Sequence, residues 1–301
     1  TLFGLPRKVR FCKKTLISNQ RPNSEIEFKH NIKTKKKTLF IDKNNISDTW
    51  KYSRIKKKID YKRREKELLK LLDKHRGKYG KYDCIVPGGG GKDSCYAAHI
   101  LKYKYGMNPL TVTWPPILYT KYGYENFEKW LETGKLKNIS AKRNEDVLRI
   151  LTKNAFLNLL HPFQSFILGQ KIFPIKCAIK YKIPLIFYGE NEAEHGNSLA
   201  DNESSLRKKS FHTLNGLENL FLGGMSLDEI KTKYKIGLKD LEDYIPPHVD
   251  EFSNSNIKVH YLGYFLRWIP QECFYYSVEN CGFKPRPFRT QVTYSKYNSI
   301  D

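Results

Sequence analysis

From Tyr82 onward the chain alternates between short apolar runs and longer amphipathic stretches. The apolar runs Tyr82–Val86, Pro109–Trp114 and Pro184–Tyr188 have the length and continuous apolar character of strands buried on both faces. Between and after them, the spacing of apolar positions predicts helices over Ser94–Tyr105, closed by Gly106, over Glu145–Leu160, and over Gly169–Tyr181 in spite of Pro174. Strands that alternate with helices at this spacing predict an α/β fold, a parallel sheet with helices on both faces. Upstream, Ile55, Ile59, Leu68, Leu69, Leu71 and Leu72 draw an apolar stripe among charges and predict a helix over residues 54–76, punctuated by Gly77 and Gly80. Residues 1–53 carry no strong period and read as a small, irregular, polar module. The segment from Asp201 to Pro247 reads as helical and polar, with Ser226 as an N-cap and Glu229 at the capping-box position. The expected organisation is therefore a module over 1–53, a basic linker helix over 54–80 and an α/β domain over 81–301.

Composition narrows the class. A chain of 301 residues can bury one large core and a small accessory module. No apolar run approaches the roughly 18–20 residues of a membrane span, and the N-terminus lacks the ordered regions of a secretory signal, so a cytoplasmic protein without a membrane partner is expected. None of the six cysteines forms a C-x-x-C pair, and buried free thiols are expected rather than a disulfide framework. The net charge of +23 is uneven: residues 1–80 hold 25 basic and 8 acidic side chains, a net of +17, which leaves +6 for the rest. Runs such as Lys33–Lys37 and Arg54–Lys58 can bind phosphates. In a chain rich in Lys, Asn and Ile they read as solvated surface, and nucleic acid is not the expected partner.

The chemistry is concentrated in Val86-Pro-Gly-Gly-Gly-Gly-Lys-Asp-Ser94, where a predicted strand runs through four glycines into a predicted helix. Gly88, Gly89, Gly90 and Gly91 let bare backbone N–H groups approach an anion. The helix terminus adds positive potential, Ser94 a hydroxyl and Lys92 a charge. The run is not a Walker A loop, because Asp93 stands where Ser or Thr must directly follow Lys. It resembles the PP-loop, S-G-G-x-D-S, with Gly89 in place of the first Ser. That resemblance implies ATP as cofactor, attack of a substrate oxygen on its α-phosphorus, Asp93 organising Mg²⁺, and adenine received at Thr113-Trp114. Glu190, Asn191 and Glu194 follow the third predicted strand at its C-terminal end, where ligands of open α/β sheets gather. They are candidates for proton transfer from ammonia, and Glu190 also for Mg²⁺. His195 and His161 alone read as structural.

The resemblance extends beyond the loop. Tyr103-Lys-Tyr-Gly-Met-Asn-Pro-Leu-Thr-Val-Thr-Trp114, Leu160-His-Pro-Phe-Gln-Ser-Phe-Ile-Leu-Gly-Gln170, Leu185-Ile-Phe-Tyr-Gly-Glu-Asn-Glu-Ala-Glu-His-Gly196 and Thr293-Tyr-Ser-Lys-Tyr-Asn-Ser-Ile300 are similar to the N-acetyl sugar amidotransferases of pseudaminic-acid and lipopolysaccharide pathways. The resemblance implies adenylation of the oxygen of a sugar N-acetyl group and displacement of AMP by ammonia from a separate glutaminase. Lys92, Asp93, Glu190, Asn191 and Glu194 would carry the chemistry, and His161, Gln164 and Gln170 would meet the sugar. Two departures stand out. Members of that family carry two C-x-x-C pairs near the N-terminus, where this chain has Cys12-Lys-Lys-Thr15 and Ser47-Asp-Thr-Trp50, so a degenerate zinc-ribbon module without zinc is expected. They also continue beyond the equivalent of Asp301, which predicts a truncated C-terminus. A tRNA-modifying PP-loop enzyme, of thiolase or lysidine synthetase type, and a catalytically impaired ATP-binding remnant are the alternatives.

Overall fold

The structure, a computed structural model, describes residues 4–23, 26–190 and 203–289. Four strands come first: β1 (Cys84–Pro87), β2 (Pro109–Thr113), β3 (Lys137–Ser140) and β4 (Leu185–Tyr188). A short antiparallel hairpin follows, β5 (Phe221–Leu222) with β6 (Met225–Ser226), and then β7 (Lys258–Tyr261). Among the described residues, five of these strands form one parallel sheet in the order β3-β2-β1-β4-β7. The order reverses direction between β1 and β4, so the loops leaving these two strands diverge and open a crevice at their carboxyl ends.

The helices are α1 (Asp48–Lys56), α2 (Tyr61–Asp73), α3 (Lys92–His99), α4 (Lys121–Thr133), α5 (Glu145–Leu159) and α6 (Gln164–Tyr181). Beyond β4 come α7 (Leu227–Tyr234), α8 (Leu238–Leu241), α9 (Val249–Asn254), α10 (Leu262–Phe265) and α11 (Pro270–Asn280). Strand side chains alternate between two cores. Cys84, Val86, Leu185 and Phe187 pack with Leu68 and Leu72 of α2, Cys95 and Ala98 of α3, and Cys273 of α11. Ile85, Ile186, Leu110, Val112 and Val259 turn to the other face, against Ile175 and Ala178 of α6 and Phe252 of α9. Both faces are covered, which is why the strands read as unbroken apolar runs.

Local chemistry explains most element ends. Asn144 caps α5 through its side-chain oxygen, which accepts from Asp146 and Val147 N–H. Ser226 and Glu229 form the expected capping box of α7. Other expectations shift. The helix predicted over 54–76 is two helices, α1 and α2, separated at residues 57–60, with Asp60 capping the second. Helix α6 starts five residues earlier than its pattern suggested, and α3 passes into a π turn at Ile100–Lys104. The polar segment 201–247 holds the β5–β6 hairpin and short helices where continuous helix was expected; Gly223 and Gly224, both at positive φ, make the turn. All six cysteines are free and buried.

In the N-terminal module Cys12 and Trp50 join Leu39 and Ile41 in a small apolar cluster. The positions expected to have lost zinc ligands converge there. Ser47 N–H donates to Cys12 Sγ at 3.3 Å, Trp50 N–H to Ser47 Oγ at 3.3 Å, and the Thr15 and Ser47 hydroxyls lie 3.5 Å apart.

Candidate active site

The glycine loop sits at the point where the strand order reverses. β1 ends at Pro87, and α3 begins at Lys92 with Gly91 as its N-cap. Three contacts shape the turn between them. Gly88 N–H donates to Val112 O at 3.0 Å, the Thr113 hydroxyl donates to Gly88 O at 2.7 Å, and Ser94 Oγ donates to Gly91 O at 2.9 Å. Gly90 has φ +82°, and a Cβ there would lie 2.5 Å from the Phe127 backbone of α4, so only glycine fits. A Cβ at Gly89 or Gly91 would meet nothing within 4 Å, and both residues line the cleft.

That cleft has a volume of about 650 Å³ and is lined by Gly88 to Ser94, by Tyr188 at the end of β4, and by Gly189 and Glu190 that follow it. At its floor the Lys92 ammonium, 7 % exposed, pairs with the Asp93 carboxylate and stands 3.9 Å from Glu190 Oε1. Asp93 also accepts from Trp268 Nε1 at 3.2 Å, and Lys92 O accepts from Ser277 Oγ at 2.9 Å. Trp268 lies so close to Gly189 that a Cβ there would be 2.8 Å from its ring. The segment after β7 therefore braces both sides of the floor.

Helix α6 forms the next wall through Phe166, Ile167, Gln170, Lys171 and Pro174. Pro174 has no N–H for the carbonyl of Gln170 four residues earlier, and Tyr188 OH donates to that carbonyl at 3.1 Å. A helix defect thus ties α6 to the end of β4 inside the cleft. Trp114 lies flat on the same helix: a Cβ at Gly169 would meet its ring at 1.9 Å. Trp114 lines the cleft, as expected of the end of β2, together with Tyr119 and Asn126 from the following segment.

The candidate residues fall into three groups. Gly88, Gly89, Gly90, Gly91, Lys92, Asp93, Ser94, Trp114, Gln170 and Glu190 come together around one cavity. Thr113, Gln164 and His161 do not line it. Thr113 is fully buried, with its hydroxyl on the loop carbonyl. Gln164, also fully buried, donates to Glu27 O at 2.8 Å and Phe221 O at 3.1 Å and accepts from Gly223 N–H at 2.8 Å. Its amide joins the N-terminal module, α6 and the β5–β6 turn, with both N–H donors engaged within the fold. His161 Nε2 lies 3.4 Å from Glu27 Oε2. Asn191 and Glu194, with His195 and the 293–300 motif, lie outside the described residues.

Periodicity gave no signal for other cleft residues. Arg207, Tyr261 and Lys171 line it, and the Arg207 guanidinium lies 5.0 Å from the Tyr188 ring centroid. Glu27 enters from the N-terminal module. Burial raises its pKa, but hydrogen bonding by His161 and His30 and the field of Lys171 outweigh this and hold it at about 2.

The sheet topology, not sequence similarity, carries the fold assignment. No family model matches the chain. An uncharacterized protein of Methanocaldococcus jannaschii is 35% identical over 83 residues, which are 28% of this chain and 29% of that protein. The chain thus spans under a third of the length of this curated relative. Among solved structures, an NMN synthetase from Francisella tularensis is 14% identical with a TM-score of 0.35, over 70% of this chain and 99% of its own. An NH3-dependent NAD synthetase from Campylobacter jejuni is 13% identical with a TM-score of 0.36, over 77% of this chain and 100% of its own. At these levels of similarity, function rests on the chain's own residues. No described helix is long and apolar enough to cross a membrane.

Proposed function

We propose that the chain is an ATP-dependent amidotransferase, which adenylates the N-acetyl oxygen of a sugar and lets ammonia displace AMP to give an acetamidino sugar. The observation that carries this reading is the joining of the PP-loop-like turn, Lys92, Asp93 and Glu190 at the floor of one cleft. Backbone N–H groups of Gly89 to Gly91 and the start of α3 would receive the phosphates of ATP. Lys92, nearly buried, would bridge phosphate oxygens with little competition from water. The two carboxylates beside it are hard oxygen donors, of the type that holds Mg²⁺ together with substrate phosphates. Asp93 and Glu190 are the residues that would hold it, and the metal would neutralise charge on the leaving pyrophosphate.

The sugar half of the reaction rests on the sequence resemblance. Glu190, Asn191 and Glu194 would act on the nitrogen step, with Gln170 facing the acceptor and a separate glutaminase supplying ammonia. The cleft's volume exceeds the lower end of the usual range for ligand sites, about 300–1,000 Å³.

The experiment is pyrophosphate release from ATP, with ammonium salts and N-acetylated sugars supplied. Ser94→Ala and Asp93→Ala should each abolish release and leave the thermal melt within a few degrees of the parent. Turnover at the parental rate in both variants would remove the loop from the mechanism. Absence of release from the parent chain, with ATP still bound, would favour the non-catalytic remnant. Tight, strongly salt-dependent binding of bulk tRNA would favour the tRNA-modifying alternative.

A further inference from the structure

The corner between α5 and α6 exposes four large apolar side chains within eight residues: Phe156 (56 %), Leu157 (62 %), Leu160 (66 %) and Phe163 (56 %). By their spacing Phe156, Leu157 and Leu160 share one face at the end of α5, and Phe163 stands at the N-cap of α6. Single exposed apolar residues are ordinary, but a contiguous group of them marks an interaction surface. Leu160 adds a backbone signal. It closes α5 in the left-handed conformation, with φ 49° and ψ 34°, where glycine or asparagine is the usual residue. A leucine there meets a local penalty that its exposed side chain does little to offset by packing within the fold.

The rim of this group is cationic. Lys153, exposed, stands one turn before it on α5. Tyr234 OH donates to Asn154 Oδ1 at 2.9 Å, and the charges of Lys233 and Lys153 both act on that hydroxyl. Asn31 of the N-terminal module bridges to Gly224, where an added Cβ would lie 2.9 Å from Asn158 Cβ. This brings Ile32 and Lys33, both exposed, to the same corner. Of the carboxylates on these helices, Asp146 is paired with Arg149 at 2.9 Å and Glu229 with the N-cap of α7. A second copy of this chain, net charge +23, would set the same cations against each other across a two-fold interface. The surface fits instead a protein with an apolar face and a rim of carboxylates.

The corner is continuous with the cleft. Phe163, Phe166, Ile167 and Gln170 recur at helical spacing along the start of α6. The first belongs to the exposed group, and the other three line the cleft. His161, next to Leu160, lies 3.4 Å from Glu27, which also lines it. A largely apolar strip thus leads from the exposed corner to the cavity. Neutral ammonia crosses apolar surface at small cost, whereas ammonium would have to shed its water. We propose, on the amidotransferase reading, that the α5–α6 corner is the docking surface for the ammonia-supplying subunit, a protein with an acidic rim seated over Phe156, Leu157, Leu160 and Phe163.

The probe is the glutaminase of the source cells, purified as the protein that lets the parent chain use glutamine in place of ammonium salts. In the glutamine arm, glutamate dehydrogenase with 2-oxoglutarate and NADPH consumes ammonia that escapes into solution. Leu157→Gln with Leu160→Asn removes two apolar side chains, and both replacements suit their backbone, a helix interior and a left-handed cap. The double variant is expected to keep ammonium-supported pyrophosphate release within twofold of the parent. Its glutamine-supported release should fall at least tenfold. Lys153→Glu with Lys233→Glu should weaken glutaminase binding at low salt and far less at high salt. Should the first pair fail to fold, this charge-reversed pair decides, and unchanged binding overturns the proposal. So does parental glutamine-supported release in the double variant, or an equal loss with both nitrogen sources. A source-cell extract that confers no use of glutamine overturns it, as does a parent dimer in sedimentation that the double variant dissolves. Absence of ammonium-supported release from the parent removes the amidotransferase reading itself, and the docking surface with it.

Discussion

Gly89 and Gly90 are adjacent, yet the structure predicts opposite outcomes for adding a side chain. At Gly90 the backbone has φ +82°, and a Cβ would lie 2.5 Å from Phe127 Cα and 2.7 Å from Phe127 N. The left-handed conformation costs a residue with a Cβ roughly 1–2 kcal/mol. Forcing atoms into the packed α4 backbone adds about 1–3 kcal/mol. Gly90→Ala is therefore expected to lose about 2–5 kcal/mol of stability and to spoil the loop. Gly89 has no positive φ and no atom within 4 Å of its missing Cβ. Gly89→Ala should be neutral or stabilising by about 0.4–1 kcal/mol, because it restricts the unfolded chain. Gly89→Ser goes further and restores the hydroxyl that a PP-loop carries at this position. One hydrogen bond to a charged phosphate is worth about 1.5–3 kcal/mol, which predicts ATP binding tighter by roughly ten- to hundredfold. Urea unfolding at constant m-value measures the first pair of effects, and calorimetric titration with Mg·ATP the second. If Gly90→Ala is as stable as Gly89→Ala, the loop geometry described above is wrong. If Gly89→Ser binds ATP no better than its parent, the phosphates do not lie against this turn.

Further outcomes follow from other sites. Burial pushes His212 down to about 3 and His260 to about 4 from 6.5. Below pH 6.5 the unfolded chain therefore takes up protons that the folded chain refuses, and stability falls by about 1.4 kcal/mol per pH unit for each histidine. Unfolding at pH 5 should show about 4 kcal/mol less stability than at pH 7.5 from these two groups. His212→Asn should flatten that slope by about half, and an unchanged slope would contradict the assignment. Elemental analysis of the purified protein should find no stoichiometric zinc, because the Thr15 and Ser47 hydroxyls and Trp50 stand at the ligand positions; one zinc per chain would refute this. Glu194→Gln is expected to spare ATP affinity and to slow amidine formation by about 10²–10⁴-fold, as loss of a general base does. Product formation at the parental rate would exclude Glu194 from the nitrogen step.

How much of this protein was legible in its sequence differs between the loop and the walls of the cleft. Apolar runs of strand length announced β1, β2 and β4, because a strand buried on both faces must be apolar throughout. The edge strand β3, Lys-Asn-Ile-Ser, carries no such signal, since its residues are half-buried or exposed. β7 escaped notice because only one of its ends is apolar in a Lys-Val-His-Tyr run. Among the site residues, the glycine loop was readable because its chemistry is local: the backbone turn, helix start and hydroxyl lie within seven consecutive residues. Five of the six cysteines pack in the two cores that flank the sheet, which agrees with thiols acting as small apolar groups.

The sequence by itself determined the strand–helix alternation, the glycine turn at Gly88 to Ser94 and the capping of α7, because each depends on residues close together in the chain. Tertiary structure alone decided which distant side chains share the cleft. Gln164 looked like a substrate contact within its motif, but its amide bridges Glu27, Phe221 and Gly223, which only the packed fold brings within reach. Trp268 and Ser277 brace Lys92 and Asp93 from some 180 residues away. Glu27 reaches the cleft because Phe28 packs into the core beneath α6. Side chains that meet through packing leave no spacing in the sequence, since the strand order, and not the chain order, sets which loops converge at the ends of β1 and β4.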